Sequence, residues 1–278
     1  MRIAIDLGGT NVRVATVMAD GRIGDILSEP TLATGTEQEV LGQLYRLIDK
    51  LLTPEVDGIG IGVPSVVDTD LGIVYNVVGI PSWQEVHLKD LLEARYNMPV
   101  AVDNDCNCFA LGVTRFGKNG TPKEAFCVTL GTGVGGSLVI DGCLYHGRNA
   151  GAGEIGSIPY LDKDYEYYCS SRFFVGKGTT GKDTATAAAA GDPDALAIME
   201  EFGGHMGKLM QMIMYAYDPA VIILGGSISK AFALYSEPMW KIINEFPYPK
   251  SVENLDLYVT DLENPGILGA ALLCGPMQ

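Results

Sequence analysis

Residues 3–14 constrain the fold of this chain more than any other segment. An apolar run ends in Asp6, a Gly8-Gly9 turn follows, and a second run with β-branched residues begins at Asn11. Two such runs joined by a short glycine turn predict a β-hairpin. Glycine adopts positive φ angles and has no side chain, so backbone N–H groups at the tip can face an anion. The hairpin is therefore either a simple tight turn or an anion-binding turn, with Asp6 beside it as a candidate cation ligand.

The same pattern recurs in the second half of the chain. A strand over residues 126–130 precedes a glycine-rich turn over residues 131–136, and another strand follows. In both halves the second strand leads into an Asp-Gly dipeptide, at residues 20–21 and 141–142, which is typical of a type I′ hairpin turn. This internal repeat predicts two lobes built on one plan.

Hydrophobic periodicity predicts an alternation of strands and helices around these hairpins. Predicted helices cover residues 37–52, 88–96, 106–115, 184–190, 192–217 and 266–273, with one more after residue 227. Predicted strands cover residues 58–63, 99–102, 220–224 and 257–259, residues 160–178 are irregular, and a polar turn at 117–122 separates the lobes. Such alternation predicts an α/β fold with mixed sheets.

Composition restricts the class of partner. A chain of 278 residues with 47% hydrophobic residues is long enough for two lobes with separate cores. A net charge of −15 argues against nucleic acid and against an anionic membrane as partners. No signal peptide or membrane-spanning run is evident, and the six scattered cysteines suit reduced thiols, so we expect a cytoplasmic protein.

Three glycine turns, each at the end of a predicted strand, suggest a nucleotide site. They are Gly8-Gly9, the turn over residues 131–136 and Gly225-Gly226. Ligands of open α/β sheets bind at the carboxyl ends of strands, and glycine-rich backbone can hold phosphates. No Walker loop is present. The turn at residues 131–136 matches dinucleotide spacing, but a strand follows it where a dinucleotide-binding unit needs a helix.

Two further segments carry candidate polar groups. Asn104 and Asp105 end a predicted strand just before a helix, where either one caps the helix or a carboxylate accepts a proton from a substrate hydroxyl. Glu154 stands among small residues, either as an exposed loop residue or as an acceptor for paired sugar hydroxyls.

Taken together, these motifs resemble the ROK family (repressors, open reading frames and sugar kinases) of the actin-like superfamily. The similarity covers nearly the whole chain. It is carried, in order, by Asp-Leu-Gly-Gly-Thr at 6–10, Gly-Val-Pro at 62–64, Asn-Asp at 104–105, Leu-Gly-Thr-Gly-Val-Gly-Gly at 130–136, Ala-Gly-Glu-Ile-Gly at 152–156 and Leu-Gly-Gly at 224–226.

This resemblance implies two actin-like (ribonuclease H-like) lobes with mixed sheets and an interlobe cleft that binds ATP, Mg²⁺ and a hexose. The N-terminal lobe would comprise residues 1–115 and 266–278, and the C-terminal lobe residues 116–265. By the resemblance, Asp6 lies near the metal, Asp105 is the catalytic base, and Asn104, Asp105 and Glu154 bind the sugar. The implied nucleotide-binding residues are Gly8, Gly9, Thr10, Gly131, Thr132, Gly133, Gly225 and Gly226.

Two departures from the family pattern affect the sugar end. Ser157 replaces a histidine that in the family binds both sugar and a structural zinc. The family's Cys-x-Cys-Gly-x-x-Gly-Cys-x-Glu zinc loop is missing, with only Cys169 left and Ser171 where a second sugar-binding glutamate is expected. A tetrahedral zinc site needs four ligands, so we predict no zinc. The aromatic residues within 160–174 would then hold this loop by packing.

The resemblance thus implies an ATP- and Mg²⁺-dependent kinase that phosphorylates the 6-hydroxyl of a hexose, with glucose the first candidate. Fructose or an N-acetylated amino sugar are alternative substrates, because Ser157 and Ser171 alter the pocket. A non-catalytic sugar-sensing ROK protein is the alternative function. Repressor members carry an N-terminal DNA-binding domain, and because the hairpin starts at Ile3 we expect none in this protein. We expect a homodimer, as is frequent in the family.

Overall fold

The computed structural model describes residues 1–118 and 120–275. Asn119, in the polar turn predicted between the lobes, and residues 276–278, in the predicted N-terminal lobe, lie outside the described residues. Backbone contacts divide the chain into two compact units. Unit 1 comprises Met1–Thr121, His146–Gly151 and the chain from Leu262 onward, and unit 2 comprises Pro122–Tyr145 and Ala152–Asp261. The predicted extents of the two lobes stay a prediction.

Strands and helices alternate along most of the described chain. In chain order the elements are β1 (Arg2–Leu7), β2 (Asn11–Val17), β3 (Ile23–Pro30), α1 (Glu37–Leu51), β4 (Ile59–Val63), β5 (Val66–Asp68), β6 (Ile73–Tyr75), β7 (Glu85–His87), α2 (Leu88–Tyr96), β8 (Val100–Asn104) and α3 (Asp105–Phe116). There follow β9 (Ala125–Leu130), β10 (Val134–Ile140), β11 (Cys143–Tyr145), β12 (Pro159–Tyr160), β13 (Lys163–Asp164), α4 (Tyr165–Cys169), α5 (Ser171–Gly176), α6 (Gly181–Ala189), α7 (Pro193–Tyr217), β14 (Val221–Gly225), α8 (Phe232–Ile243), α9 (Pro249–Asn254), β15 (Asp256–Val259) and α10 (Pro265–Leu272).

Each unit is built on a five-stranded mixed sheet of the same topology. The order is β3-β2-β1-β4-β8 in unit 1 and β11-β10-β9-β14-β15 in unit 2. In both sheets the first three strands are antiparallel and the last three are parallel. The predicted α/β class with mixed sheets is confirmed, and the repeated hairpin is the first part of a repeated sheet.

The strand alternation of unit 1 places apolar side chains on both faces of its sheet. Ile3 and Ile5 pack with the apolar stripe of α1, whereas Ala4 lies on the opposite face in a cluster with residues of α10. Helix α10 approaches closely because β4 carries glycine, since a Cβ on Gly60 would lie 1.8 Å from the carbonyl oxygen of Ala270. The glycine of β4 therefore lets α10 pack directly against the strand.

Three segments differ from the predicted structure. Residues 66–87 contain a three-stranded sheet, β5-β6-β7, for which the sequence pattern gave no strand. Residues 160–178, predicted to be irregular, contain helices α4 and α5, which are only five and six residues long. At Asp20-Gly21 only the glycine has a positive φ, whereas a type I′ turn needs two such residues; Asp141-Gly142 has both. Short elements and turn types depend on neighbours that periodicity does not report.

Candidate active site

Three neighbouring parallel strands of unit 1 end at the same edge of the sheet. Asp6 on β1 is in register with Gly62 on β4, and Gly62 is in register with Asp103 on β8. Neighbouring strands lie about 4.8 Å apart, so the Cα atoms of the two aspartates are separated by roughly 10 Å. The hairpin tip and the polar end of β8 therefore belong to one edge, where ligands of α/β sheets bind.

The tip of the β1–β2 hairpin is held by its own backbone and by a neighbouring loop. The Gly8 N–H donates to the Asn11 carbonyl oxygen over 2.9 Å, and the Thr31 hydroxyl donates to the Gly8 carbonyl oxygen over 2.6 Å. A Cβ on Gly9 would lie 3.1 Å from the Cα of Gly79. Gly9 is thus small partly because a second backbone passes close to it.

Asp6 lies next to a cation that the sequence reasoning missed. The Arg13 guanidinium, directly opposite on β2, donates a short hydrogen bond to Asp6 Oδ2. Arg13 Nη1 also donates to Asn264 Oδ1 over 3.0 Å. The register of the hairpin was the signal available in the sequence, since residues 6 and 13 are equidistant from its tip. The candidate metal ligand is therefore an oriented carboxylate with one oxygen engaged by arginine.

The end of β8 positions Asn104 and Asp105 at the start of α3. Asn104 is the N-cap residue, and its side-chain oxygen accepts from the N–H of Cys106 over 2.8 Å. The amide nitrogen of Asn104 donates to the Ser65 carbonyl oxygen over 3.1 Å. Asp105, the first residue of α3, accepts from the Cys106 N–H over 2.8 Å. The capping alternative is thus correct for Asn104, and it fixes the side chain without using its second amide N–H.

Three carboxylates lie near the thiol of Cys108, which is in the first turn of α3. Its thiol is buried, and its pKa is raised first by burial and then by the negative charges of Asp103, Asp105 and Asp6. Charges act on one thiol in this way only when they lie near it. The acidic ends of β1 and β8 consequently form one electronegative site within unit 1.

Unit 2 places its glycine turns at the matching edge of its own sheet. The Gly131 N–H donates to the Gly133 carbonyl oxygen over 3.0 Å, which closes the turn between β9 and β10. Gly225 on β14 is in register with Thr129 on β9, so the two turns are neighbours. Gly226 has a φ of +91°, and a Cβ there would lie 2.3 Å from the Leu130 carbonyl oxygen.

A cavity of about 890 Å³ opens beside these turns, and all of its lining residues belong to unit 2. It is bordered by Ser171, Ser227 and Ile228, by apolar side chains such as Phe174, and by Lys182. The buried Tyr235 hydroxyl, also in the lining, has no hydrogen-bond partner among the described residues. An apolar cavity with a few polar groups suits a nucleobase or another flat ligand.

Glu154 is itself exposed, but the glycines on either side of it are buried in close packing. A Cβ on Gly153 would lie 2.2 Å from the Gly136 carbonyl oxygen, and one on Gly156 would lie 2.5 Å from the Val134 carbonyl oxygen. The loop therefore packs against β10 on both sides of Glu154. The pKa of Glu154 is raised, first by burial of the carboxyl and then by the negative charge of Glu166.

Glu166 is a second carboxylate that the sequence reasoning missed. It lies on α4, where it pairs with the Arg172 guanidinium over 2.7 Å and accepts from the Val134 N–H over 3.4 Å. Ser171, expected at the position of a second sugar-binding glutamate, instead donates its N–H to the Gly131 carbonyl oxygen over 2.9 Å and lines the cavity. Asp164, which caps α4, was the available signal that a helix begins beside Glu166.

Thr10 and Thr132 are the exposed residues of the two hairpin tips. The structure brings Asp6, Asn104 and Asp105 to one edge of the first sheet, and Gly131, Gly133, Gly225 and Gly226 to one edge of the second.

A model of the protein family described as "ROK family" matches residues 2–275 of this chain. The chain belongs to the ROK family.

Curated relatives of this ROK protein include a glucokinase from Thermotoga maritima, 29% identical over 97% of this chain and 95% of the relative. A glucokinase from Halalkalibacterium halodurans is 28% identical over 98% of this chain and 94% of the relative. Among solved structures, a ROK family glucokinase from Streptomyces griseus in complex with glucose and AMPPNP aligns with a TM-score of 0.83, at 26% identity over 97% of each chain. The predicted actin-like fold is confirmed.

Aromatic packing occupies the segment where the ROK pattern has its zinc loop. Tyr160 and Tyr165 stack with ring centroids 4.4 Å apart, and the Tyr160 hydroxyl lies 3.2 Å from Nδ1 of His205. Tyr168 and Phe173 also contact the His205 ring. The expected aromatic packing is confirmed, whereas the absence of zinc stays a prediction. In the part of the chain that the structure describes, no group of three or more His, Cys, Asp or Glu side chains is arranged to hold a metal.

Among the helices of residues 1–118 and 120–275, none combines the length and apolar character that a membrane crossing requires.

Proposed function

We propose that this ROK protein transfers the γ-phosphoryl group of ATP to the 6-hydroxyl of a hexose, with glucose as the first candidate. The reaction class, that of an ATP-dependent sugar kinase, is supported by the family match and by the glucokinases among its relatives. One observation carries the residue assignment: Asp6 and the Asn104-Asp105 pair lie at one edge of one sheet, through the register of β1, β4 and β8. This shared edge supports a phosphate-side role for Asp6 and an acceptor-side role for Asp105.

Asp6 fits a magnesium site of the kind that kinases use. Mg²⁺ in such sites is held by one or two carboxylates together with substrate phosphates and water, so a large cluster of protein ligands is not required. Asp6 is partly exposed and is oriented by Arg13. When bound, the ion would offset negative charge on the phosphates. Gly9 and Thr10 would present backbone N–H groups to the same phosphates, while the Gly8 N–H holds the turn through its bond to Asn11. Arg13 would add a fixed positive charge nearby.

Asn104 and Asp105 act on the acceptor sugar in this proposal. The Asn104 amide is fixed by its cap and by Ser65, so its remaining N–H can donate to a sugar hydroxyl. Asp105 accepts the proton of the 6-hydroxyl as that oxygen attacks the γ-phosphorus, and the bond to the ADP oxygen breaks. Most of the rate of such a transfer comes from positioning and charge stabilisation.

Unit 2 supplies nucleotide binding and sugar orientation. The cavity bordered by Ser227 and Tyr235 would hold the adenosine, with Gly225 and Gly226 at its rim and Gly131, Thr132 and Gly133 near the phosphates. Glu154 would accept hydrogen bonds from paired sugar hydroxyls, because an ionised carboxylate is an acceptor only. Glu166 lies close enough to influence its charge.

A coupled ADP-release assay over a hexose panel tests the proposal. Glucose, mannose, fructose, N-acetylglucosamine and N-acetylmannosamine are compared, each with and without EDTA and with Asp105→Asn as the inactive reference. We expect sugar-dependent ADP release that EDTA abolishes and that the variant lacks. Ser157 stands where the family has an imidazole, so the panel includes fructose and the N-acetylated sugars and ranks them against glucose.

Sugar binding without any ADP release would contradict the kinase proposal and favour the non-catalytic sensor. Isothermal titration calorimetry with the same sugars detects that case, because it reports binding whether or not turnover follows.

A further inference from the structure

A six-residue segment, His146–Gly151, belongs to unit 1 by its contacts, although the chain on both sides of it belongs to unit 2. It begins directly after β11, which ends at Tyr145. His146, its first residue, is half-buried, with 30% of its side chain exposed. No motif in the sequence marks this histidine as functional.

The partner of His146 is the buried carboxylate that precedes the candidate sugar site. His146 Nε2 lies 2.8 Å from Asp103 Oδ2. The Asp103 side chain is only 5% exposed, and its other oxygen accepts from the Asn104 N–H over 2.7 Å and from the Asn107 side-chain amide over 2.8 Å. One carboxylate therefore fixes the backbone at Asn104, the first turn of α3 and His146 together.

The charges around this pair favour a protonated histidine. The pKa of His146 is raised, first by its hydrogen bond to Asp103 and also by the charges of Asp103 and Asp70, against the opposing effect of burial. Asp105 and Asp6 lie near the same end of β8, as the raised pKa of Cys108 reports. A cation at His146 therefore contacts Asp103 and lies near Asp70, and it offsets charge that Asp103 would otherwise carry alone in a buried position.

We propose that His146 is a positioning residue for phosphoryl transfer: bound as a cation to Asp103, it holds the strand end that carries Asn104 and Asp105 in the reactive geometry. This inference rests on the proposed kinase function. Loss of the cation would leave Asp103 buried and incompletely paired, which would allow the β8–α3 junction to shift. Displacements near 1 Å at reacting groups lower turnover by roughly 100-fold.

His87 provides a matched control within the same unit. Its side chain is 52% exposed, and Nε2 lies 3.4 Å from a carboxylate oxygen of Glu85. It is therefore also a histidine beside a carboxylate, but on the surface of the small sheet rather than on the β8–α3 junction.

Steady-state kinetics of His146→Ala, His146→Arg and His87→Ala test the inference, with the sugar found by the panel as substrate. We expect His146→Ala to lower kcat roughly 10- to 100-fold, His146→Arg to retain most of kcat, and His87→Ala to match the wild type. The wild-type kcat should fall as the pH rises through the raised pKa of His146, and His146→Arg should lack this fall because arginine stays protonated. Wild-type kcat, KM and pH profile in His146→Ala would overturn the inference.

Thermal unfolding against pH gives a readout that needs no catalysis. A histidine whose folded-state pKa is raised adds stability that is complete below its unfolded-state pKa and lost as the pH rises through the folded-state pKa. The Tm deficit of His146→Ala should therefore be largest in acidic buffer and shrink toward alkaline pH, whereas His87→Ala shows no comparable trend. A pH-independent deficit would overturn the cationic role.

Asp105→Asn separates this inference from the proposed function. If that variant is inactive while His146→Ala behaves as the wild type, the positioning role fails and the kinase assignment stands. If Asp105→Asn turns over at the wild-type rate, the proposed function itself fails.

Discussion

The two glycine hairpins, β1–β2 and β9–β10, share sheet topology and strand order but differ in what surrounds their tips. In unit 1 acidic residues lie at the strand ends beside the tip, with Asp6 on β1 and Asp103 on β8. In unit 2 the neighbouring strand ends in Gly225-Gly226, and an apolar cavity lies beside it. One backbone plan thus carries carboxylates at its strand ends in one unit and small residues at the corresponding strand ends in the other.

This difference follows from a few side chains at strand ends. A strand's interior must satisfy the pattern of the sheet, whereas the residues just beyond its carboxyl end contact solvent or ligand and are free to vary. The comparison therefore predicts that substitutions at the edge of unit 1 affect turnover, and that equivalent substitutions in unit 2 affect binding or stability.

The largest expected effect is that of Asp105→Asn in unit 1. Loss of a general base lowers kcat by roughly 10²- to 10⁴-fold, while the asparagine oxygen still accepts from the Cys106 N–H and preserves the helix start. Rapid-quench and steady-state assays measure kcat, and Tm checks the fold. Asp90→Asn, an exposed aspartate in the first turn of α2, is the control. Near wild-type turnover in Asp105→Asn would contradict the prediction that the sheet edge of unit 1 controls turnover.

The next effect is that of Glu154→Gln in unit 2, which should raise KM for the sugar with less change in kcat. Hydrogen bonds to a charged group contribute about 1.5–3 kcal/mol, or roughly 10- to 100-fold in KM. Because the pKa of Glu154 is raised, the wild-type KM should increase as the pH is lowered through it. Glu166→Gln removes the nearby charge and should move this rise to lower pH. Glu201→Gln, on the exposed face of α7, is the control and should leave the pH dependence of KM unchanged.

A stability effect of about 2 kcal/mol is expected for Gly226→Ala. Alanine at a φ of +91° is strained, and its Cβ would lie 2.3 Å from the Leu130 carbonyl oxygen. Gly131→Ala is the matched variant, because its Cβ would come no closer than 4.0 Å to the Ser227 hydroxyl. Urea unfolding should show a change under roughly 0.5 kcal/mol for Gly131→Ala, while its KM for ATP rises. Equal destabilisation by both would show that the two glycines have the same role.

Tyr160→Phe should destabilise unit 2 by about 1 kcal/mol, because it removes the hydrogen bond to His205 and keeps the ring stacking. Tyr160→Leu should cost more, since the stacked contact with Tyr165 is also lost. Tyr248→Phe, at an exposed tyrosine, is the control. Thermal unfolding measures all three, and a neutral Tyr160→Leu would contradict a structural role of the cluster.

The smallest effect is expected from zinc removal. If aromatic packing replaces the zinc loop, phenanthroline should leave Tm unchanged, and elemental analysis of the purified protein should find no stoichiometric zinc. A chelator-dependent fall in Tm would show that the His205 cluster does not act alone.

Much of the regular structure was predictable. The pattern over residues 88–96 predicts the helix that α2 forms, and the stripe over residues 37–52 predicts α1 to within one residue. Long amphipathic helices and buried strands carry a repeated signal, so local information is sufficient for them. The three-residue strands β5, β6 and β7 carry too few positions for such a signal, and they form because neighbouring strands pair with them.

The candidate site was predictable only in part. Asp6, Asn104 and Asp105 stand directly at strand ends, and sequence order alone places them there. Arg13, His146 and Glu166 were missed. Each of them is recognised only through a partner that strand pairing or packing brings next to it. The partner of His146, for example, is Asp103, which lies 43 positions earlier in the chain.

The sequence by itself determined the repeated hairpins, the glycine turns and the acidic strand ends, because these depend on backbone freedom and on the chemistry of adjacent residues. Only the tertiary structure decided that Asp6 shares an edge with Asp103, that the glycines near Glu154 fit against β10, and that the charge of Glu166 acts on Glu154. These relations require segments distant in sequence to be packed together. Contact and charge act through space, and the local pattern of the chain does not record those distances.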